Sequence, residues 1–407
     1  MKICVVGGGP GGMTAALSAA ENGAEVTLVE QNEKLGKKLY ITGKGRCNLT
    51  NDCPPQEFLS NVVTNNKFLF GAINALTPEK TIALFEELGL KTKTERGKRV
   101  FPVSDKASDV TKALERGLVS RGVEILLGKK VTKINFSGNR ILSLNTMSDI
   151  VFFDKLILAS GGVSYPSTGS DGSVFGILRG MGHTVTKLYP SLVEIKIKEK
   201  YPLEGLSLTN VNFSVFDAAG KRVFCEFGEM LFTRGGVSGP LVLTASAFIN
   251  KLHVNGMKLA VDLKPALSEH QLDCRILRDF GENSNKQFKN SLSSLLPQRL
   301  ISVIIGMTQI DPDKKVNQIM AEERAALVGA VKSFRLTADV LGGIEGAVVT
   351  SGGVDTKEIN PKTMQSRLFE NLYFAGEMID VDALTGGFNM QTAFSTGYLA
   401  GMSTAKD

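Results

Sequence analysis

The glycines near the start of the chain carry chemistry through what they lack. Gly7-Gly8-Gly9-Pro10-Gly11-Gly12 contains the spacing Gly7-x-Gly9-x-x-Gly12 between an apolar run, Ile3 to Val6, and a stretch of helix formers. A dinucleotide needs that spacing there. Gly7 allows a tight turn, Gly9 places no Cβ against a pyrophosphate, and Gly12 lets helix and strand pack closely, with Pro10 and Gly11 opening a helix whose N-terminus is aimed at phosphate. Ala16, Ala20, Gly23 and Val26 fall on the packing positions that follow, and Glu30, with Gln31 beside it, stands where an acid accepts hydrogen bonds from a ribose. An acid at this point disfavours a 2′-phosphate, so a plain ribose is expected. The half-site alone suits FAD and NAD equally.

The far end of the chain separates the two. Leu372-Tyr373-Phe374-Ala375 reads as a short strand ending in Gly376-Glu377, and Gly386-Gly387-Phe388-Asn389-Met390-Gln391 opens a helix. Flavoproteins of the two-dinucleotide type have such a late strand and helix. In them an acid at the strand end approaches the ribityl or pyrophosphate region, and the helix N-terminus points at the pyrimidine edge, where its partial positive charge stabilises reduced anionic flavin. Either Glu377 or Asp380 is that acid here, and Gly387, Asn389 and Gln391 line the helix start. Ile157-Leu158-Ala159-Ser160-Gly161-Gly162 adds a buried strand ending in small residues, where a chain passes close to a dinucleotide. No second Gly-x-Gly-x-x-Gly follows a strand, because Gly235-Gly236-Val237-Ser238-Gly239 lacks the spacing. A separate nicotinamide domain is therefore not expected, and FAD is.

The elements needed to position these residues follow from periodicity. Residues 2–6 read as a strand, 10–22 as a helix and 25–30 as a strand, which makes a βαβ unit. Residues 78–88 and 107–121 read as helices, and 123–127 and 155–160 as strands of the same sheet. From about Ser191 the text alternates, as in 193–197, 212–216 and 258–263, which suits an antiparallel sheet or barrel. Residues 268–332 are rich in helix formers, with Leu296, Leu300, Ile304 and Ile305 at helical spacing. The expected fold is α/β: a Rossmann-like FAD-binding domain (1–190 with 344–407) carrying an inserted antiparallel β-barrel-like domain (191–267 with 333–343) and a small helical domain (268–332).

Composition narrows the function class. The 407 residues are 43% hydrophobic and 22% charged, enough for sizeable cores and against extended disorder. No apolar run approaches membrane-spanning length, and only four apolar residues separate Lys2 from the first glycine, so a cytoplasmic protein without a membrane partner is expected. Five widely spaced cysteines (Cys4, Cys47, Cys53, Cys225, Cys274) are expected as free thiols. Cys47 and Cys53 lack ligand spacing, and His183, His253 and His270 lie far from them, so no metal site is expected. The net charge of +6 suits an anionic cofactor, a small substrate or RNA. Basic residues gather at Lys34, Lys37, Lys38, Lys44 and Arg46 and at Lys91, Lys93, Arg96, Lys98 and Arg99. Such clusters either meet phosphates or form a solvated face, and no RNA-binding signature accompanies them.

One loop goes beyond the dinucleotide fingerprint. Lys37-Lys38-x4-Gly43-Lys44-Gly45-Arg46-Cys47-Asn48-Leu49-Thr50-Asn51, together with Arg99-Val100-Phe101-Pro102, Leu231 to Pro240 (LFTRGGVSGP) and Gly376-Glu377-Met378-Ile379-Asp380, resembles the BaiN/RdsA family of NAD(P)/FAD-dependent oxidoreductases over nearly the whole chain. The resemblance implies an FAD domain interrupted by barrel-like and helical domains. It also places Lys38, Gly43, Arg46, Cys47 and Asn48 close to the flavin, with Arg46 hydrogen-bonding ring or phosphate oxygens. Cys47 either donates a proton to a substrate carbon or packs as a small buried residue beneath the ring.

Three functions follow as expectations. The first is an FAD oxidoreductase that moves hydride through flavin N5 from NADH or NADPH, as transient reductant, to an unsaturated small molecule. The second is a reductase that forms dihydrouridine in large-subunit ribosomal RNA, and the third is a flavin-binding protein without turnover. DNA is not an expected partner, and the oligomeric state is not read from the sequence.

Overall fold

The computed structural model describes residues 1–405, apart from the side chain of Lys44. The chain divides into two compact units, Met1–Ser191 with the segment from Ile344 onward, and Leu192–Gly343.

The first unit is built on a five-stranded sheet. Its strands are β1 (Lys2–Val6), β2 (Glu25–Val29), β3 (Glu124–Leu126), β4 (Lys155–Leu158) and β5 (Leu372–Phe374), in the spatial order β5-β4-β1-β2-β3. Every pairing is parallel, with Val6 opposite both Val29 and Leu158, and Leu158 opposite Phe374. Strands buried on both faces read as near-continuous apolar runs, which is why Ile3-Cys4-Val5-Val6 and Leu156-Ile157-Leu158 show no alternation. Chain order runs outward from β1 through β2 to β3, then returns to the other side of β1 with β4. The order therefore reverses between β1 and β4, and the carboxyl ends of those strands border the crevice where doubly wound sheets bind ligands.

Two helices cover this edge. Helix α1 (Pro10–Glu21) starts from extended Gly9 with Pro10 at its first position, and ends at Asn22 before Gly23, whose φ of +87° stops it. Helix α2 (Ala107–Ser120) presents Val110, Ala113, Leu114 and Leu118 to the core. Near the C-terminus, α3 (Phe388–Thr404) lies along α1 and is buried almost throughout. Residues 131–152 form a three-stranded antiparallel sheet, and Thr50–Asn51, Arg99–Pro102 and Thr92–Glu95 form another. Sequence reading had given neither.

The second unit contains a closed antiparallel barrel in the order Ile195–Ile197, Gly236–Ser238, Arg222–Thr233, Ser207–Phe216, Lys258–Asp262 and Phe334–Leu341. Alternation puts Val211, Phe213 and Val215 inside. Helices Glu269–Glu282, Gln298–Thr308 and Ala321–Lys332 bury Leu272, Ile276, Leu300, Ile304, Leu327 and Val331 in the same core as the barrel strands. Ser268 caps the first of them through a reciprocal box with Gln271. This α/β architecture with an inserted barrel and helices is the fold class read from the sequence. All five cysteines are free. Among the described residues no helix is long and apolar enough to cross a membrane.

Candidate functional site

The glycine turn after β1 fits its motif atom by atom. Gly7 has φ +107°, and a Cβ on it would lie 2.4 Å from the Ala159 carbonyl oxygen, so only glycine lets β1 and β4 close up here. A Cβ on Gly12 would lie 1.8 Å from the Gly7 carbonyl oxygen, which fixes how closely α1 meets the turn. Gly9 is different: no protein atom lies within 4 Å of its Cβ position. Nothing in the protein demands glycine at position 9, while the amides of the first α1 turn have no side-chain cap and no acidic residue within that turn. That combination is a cradle for an anion.

Glu30, buried at the end of β2, staples the turn. Its Oε2 accepts the Gly8 amide at 2.6 Å, and its Oε1 accepts the Asn32 amide at 2.8 Å and the Asn32 side chain at 2.7 Å. One lone pair on Oε2 remains for a hydroxyl. Gln31 donates through its side-chain amide to the Gly169 carbonyl.

The residues beyond β4 and β5 are joined by a polar knot. Glu377 accepts from Lys38 Nζ at 2.8 Å, from Ser164 Oγ at 3.0 Å and from the Thr350 amide at 2.9 Å, while Lys38 also donates to Ser164. Burial pushes the Glu377 carboxyl up, but the Lys38 charge and these hydrogen bonds together hold it below the usual carboxylate range. Gly162 fits against this knot, since a Cβ there would meet Thr350 Oγ1 at 2.3 Å, and Gly161 has φ +78°. Ser160 Cα lies 3.1 Å from the Gly7 Cβ position. Gly376, φ +73°, gives its amide to Thr396 Oγ1 at 2.9 Å, and the Gly11 Cβ position is 3.3 Å from its backbone. Asp380 is buried beside it in sequence, with its amide on the Val354 carbonyl. Glu377 and Lys38 thus hold protein segments together.

The loop Gly43–Asn51 is held by contacts within the protein. Arg46 was expected on ring or phosphate oxygens. In the structure it donates to Asp105 at 2.7 and 2.9 Å and to Glu95, and its guanidinium stacks over the Phe101 ring at 4.1 Å. Hydrogen bonds to Glu95 and Asp105 raise its already high pKa further. Cys47 is fully buried, with φ +59°, a backbone region that non-glycine residues seldom adopt. Burial pushes its thiol up to about 12, against a smaller opposing influence of Thr42. Gly43, φ +56°, lies against Asn48, whose amide nitrogen is 3.3 Å from the Gly43 Cβ position. Among the described residues no donor reaches the buried Oδ1 of Asn48, nor Oε1 of Gln391.

The start of α3 is equally tight. Gly387, φ +99°, would place a Cβ 2.4 Å from the Thr50 carbonyl, so the Asn48–Asn51 segment lies directly against the helix N-terminus, which has neither a side-chain cap nor an acid in its first turn. Two residues expected to face a ligand are occupied within the protein. Asn389 exchanges hydrogen bonds with the Ala383 backbone at 2.7 and 2.9 Å, and Gln391 gives its amide to Leu76, Thr81 and Ser395.

Sequence reasoning missed Ser164, Thr350, Thr396 and Gly397, which tie these loops together. Only Gly397 had a signal: with Gly401 it forms a glycine pair one turn apart on the helix facing α1. Half of the basic-cluster residues are paired with acids, by Lys37 to Glu33 at 3.4 Å, Lys93 to Asp105 at 2.7 Å and Lys98 to Glu57 at 2.8 Å, besides Lys38 and Arg46. The Lys44 side chain lies outside the described residues.

Comparison with known proteins places this geometry. Residues 1–403 match the family model described as HI0933-like protein Rossmann domain. The whole chain is 34% identical to a 3-dehydro-bile acid delta(4,6)-reductase of Clostridium scindens, covering 99% of it. It is 30% identical to a ribosomal RNA dihydrouridine synthase of Escherichia coli, over 97% of this chain and 95% of that one. A solved 3-ketosteroid delta1-dehydrogenase from Sterolibacterium denitrificans shares the fold at 12% identity, with a TM-score of 0.54 over 99% of each chain.

Proposed function

The chain belongs to the HI0933-like Rossmann family, and from that membership we propose that it is an FAD-dependent reductase of a small, largely apolar enone. In this reading the substrate is a steroid-like molecule whose carbon–carbon double bond is conjugated to a ketone. The observation that carries the cofactor is the cradle at Gly9, an open anion site at a helix N-terminus with Glu30 on one side and the small residues after β4 on the other. The substrate class is supported by the whole-length likeness to the bile acid reductase.

When bound, FAD supplies a two-electron carrier that takes hydride from a nicotinamide donor and gives it to an electron-poor carbon. The chain does the rest. Amides of the first α1 turn would hold the pyrophosphate, and Glu30, which holds the Gly8 amide, would accept a ribose hydroxyl. Lys38, Ser164, Thr350 and Glu377 fix the loops beyond β4 and β5 against one another. The uncapped N-terminus of α3 favours negative charge on the ring system. Cys47, buried and held as a neutral thiol at neutral pH, packs within its loop, and no proton transfer is assigned to it.

A second reading, reduction of a uridine in ribosomal RNA, is favoured by the 30% identity to the dihydrouridine synthase. It ranks lower because five of the ten lysines and arginines in the two basic clusters are already paired with acids of this chain. The test is anaerobic titration of the purified yellow protein with NADH and NADPH, followed by a 3-oxo-4-ene steroid. Bleaching by a nicotinamide and recolouring by the steroid are expected. Bleaching without recolouring, together with a missing dihydrouridine in ribosomal RNA of a deletion strain, would transfer the assignment to RNA. A flavin that neither nicotinamide bleaches would leave binding without turnover.

A further inference from the structure

We propose that Asn48 recognises the imide edge of the flavin, its side-chain oxygen accepting the single N–H of that ring system. The proposal rests on the FAD reading above and deepens it.

The first observation is the orphan itself. Asn48 Oδ1 is buried, and among the described residues it has no donor. Buried carbonyl oxygens without partners are rare because desolvation is then uncompensated, so a donor absent from the polypeptide is indicated.

The second is placement. The backbone on both sides of Asn48 is pinned, by the Cys47 amide on the Thr42 carbonyl at 3.1 Å and by the Leu49 amide on the Val100 carbonyl at 2.8 Å. Two residues on, Thr50 touches Gly387, and Asn51 Nδ2 donates to the Gly386 carbonyl at 3.2 Å. Asn48 therefore lies two residues along the chain from the contact with the uncapped end of α3. Cys47, immediately before it, adopts the left-handed conformation, which costs strain.

The third is chemical complementarity. The imide edge of an isoalloxazine presents two carbonyls flanking one N–H. Free amides at a helix N-terminus satisfy carbonyls but cannot accept a proton, so the N–H requires a separate acceptor. Asn48 supplies one at that place. Gln391 also has an orphaned oxygen, but its amide is bonded between Leu76, Thr81 and Ser395, among the helices rather than at the Thr50–Gly387 contact.

The experiment strips the flavin from the full-length protein and titrates the apoprotein with FAD and with 3-methyl-FAD, which lacks the N–H, following fluorescence quenching. Wild type should prefer FAD by about tenfold, the worth of one hydrogen bond. Asn48→Ala should reduce that ratio to near one, while Asn48→Asp, which keeps an acceptor oxygen, should retain the preference and lower the flavin midpoint potential through its added negative charge. Equal binding of the two flavins by wild type would overturn the proposal without any variant. So would a preference that survives in Asn48→Ala, or one that disappears in Gln391→Leu but not in Asn48→Ala. If wild type binds neither flavin, the FAD reading itself falls.

Discussion

Gly11 of α1 and Gly397 of α3 meet backbone to backbone: a Cβ on Gly397 would lie 2.1 Å from the Gly11 carbonyl oxygen. One turn on, a Cβ on Gly401 would lie 2.2 Å from the Ala15 carbonyl oxygen, and Ser18 Oγ donates to the Tyr398 carbonyl at 3.0 Å. Helices α1 and α3 are thus fixed against each other with their backbones in direct contact.

Gly397→Ala should therefore destabilise. Helix propensity alone would favour alanine by about 1 kcal/mol, but overpacking against backbone costs about 1–3 kcal/mol or more, so a net loss of about 1–2 kcal/mol is expected in urea unfolding. Gly329→Ala is the control, because that exposed helical glycine has no atom within 4 Å of its Cβ position. It should stabilise by about 0.5–1 kcal/mol.

Gly9→Val should fold normally and lose cofactor. Since no protein atom is near the Cβ position, the melting temperature of the apoprotein should be unchanged while flavin affinity falls at least about tenfold, or 1.4 kcal/mol. Absorbance of the purified protein and its circular dichroism measure the two quantities separately. A yellow Gly9→Val protein would sink the cradle.

Lys38→Met leaves the Glu377 carboxylate charged, mostly buried and without its cation. The pair is 2.8 Å apart with about four-fifths of each side chain covered, so a loss of about 3 kcal/mol is expected. The double variant Lys38→Met/Glu377→Gln should recover part of it, because no uncompensated charge remains. Additive losses would show that the two residues do not act as a pair.

Much of this was legible in the sequence, and the boundary has a physical cause. The turn Gly7–Gly12, the strands around it and the late strand–helix pair are set by contacts within a few residues, which periodicity and glycine spacing report. The fates of Arg46, Asn389 and Gln391 depend on Glu95 and Asp105, on the Ala383 backbone, and on Leu76 and Thr81, partners that only the folded chain brings near. Polar residues in a motif show which groups need partners, but not whether protein or ligand supplies them.

Alkaline pH should weaken the fold through its buried thiols. Burial pushes Cys47 up to about 12 and Cys53 to about 11 from an ordinary value near 9, and raises Cys4 as well. An acid whose folded value is raised stays protonated in the native state while the unfolded chain ionises, so stability is intact below about pH 9 and declines from there toward 11 and 12. The melting temperature should fall between pH 8.5 and 10.5, and less steeply in a variant with these three cysteines replaced by alanine. An equal slope in both proteins would remove the thiols as the cause.

His183 should act on the acid side. Burial lowers its pKa, outweighing Glu358, whose carboxylate lies 2.9 Å from Nδ1, while Nε2 faces Ser366 at 3.1 Å. Its contribution is complete above about pH 6.5 and declines as pH falls, since only the unfolded chain then takes up the proton freely. The melting temperature of wild type should drop more between pH 7 and 5 than that of His183→Gln.

The parallel pairing of β4 with β5 has a consequence for biosynthesis. The nascent chain completes β1, α1 and β2 early, but the edge of β4 stays open while everything from Ala159 to Asn371 emerges, and only then do β5 and α3 close it. An open edge on an unfinished parallel sheet is exposed to misassembly. Closure of that edge is thereby deferred until translation has passed α3, and a polypeptide stalled before Gly386 would present β1, α1 and β2 without the helix that packs along α1.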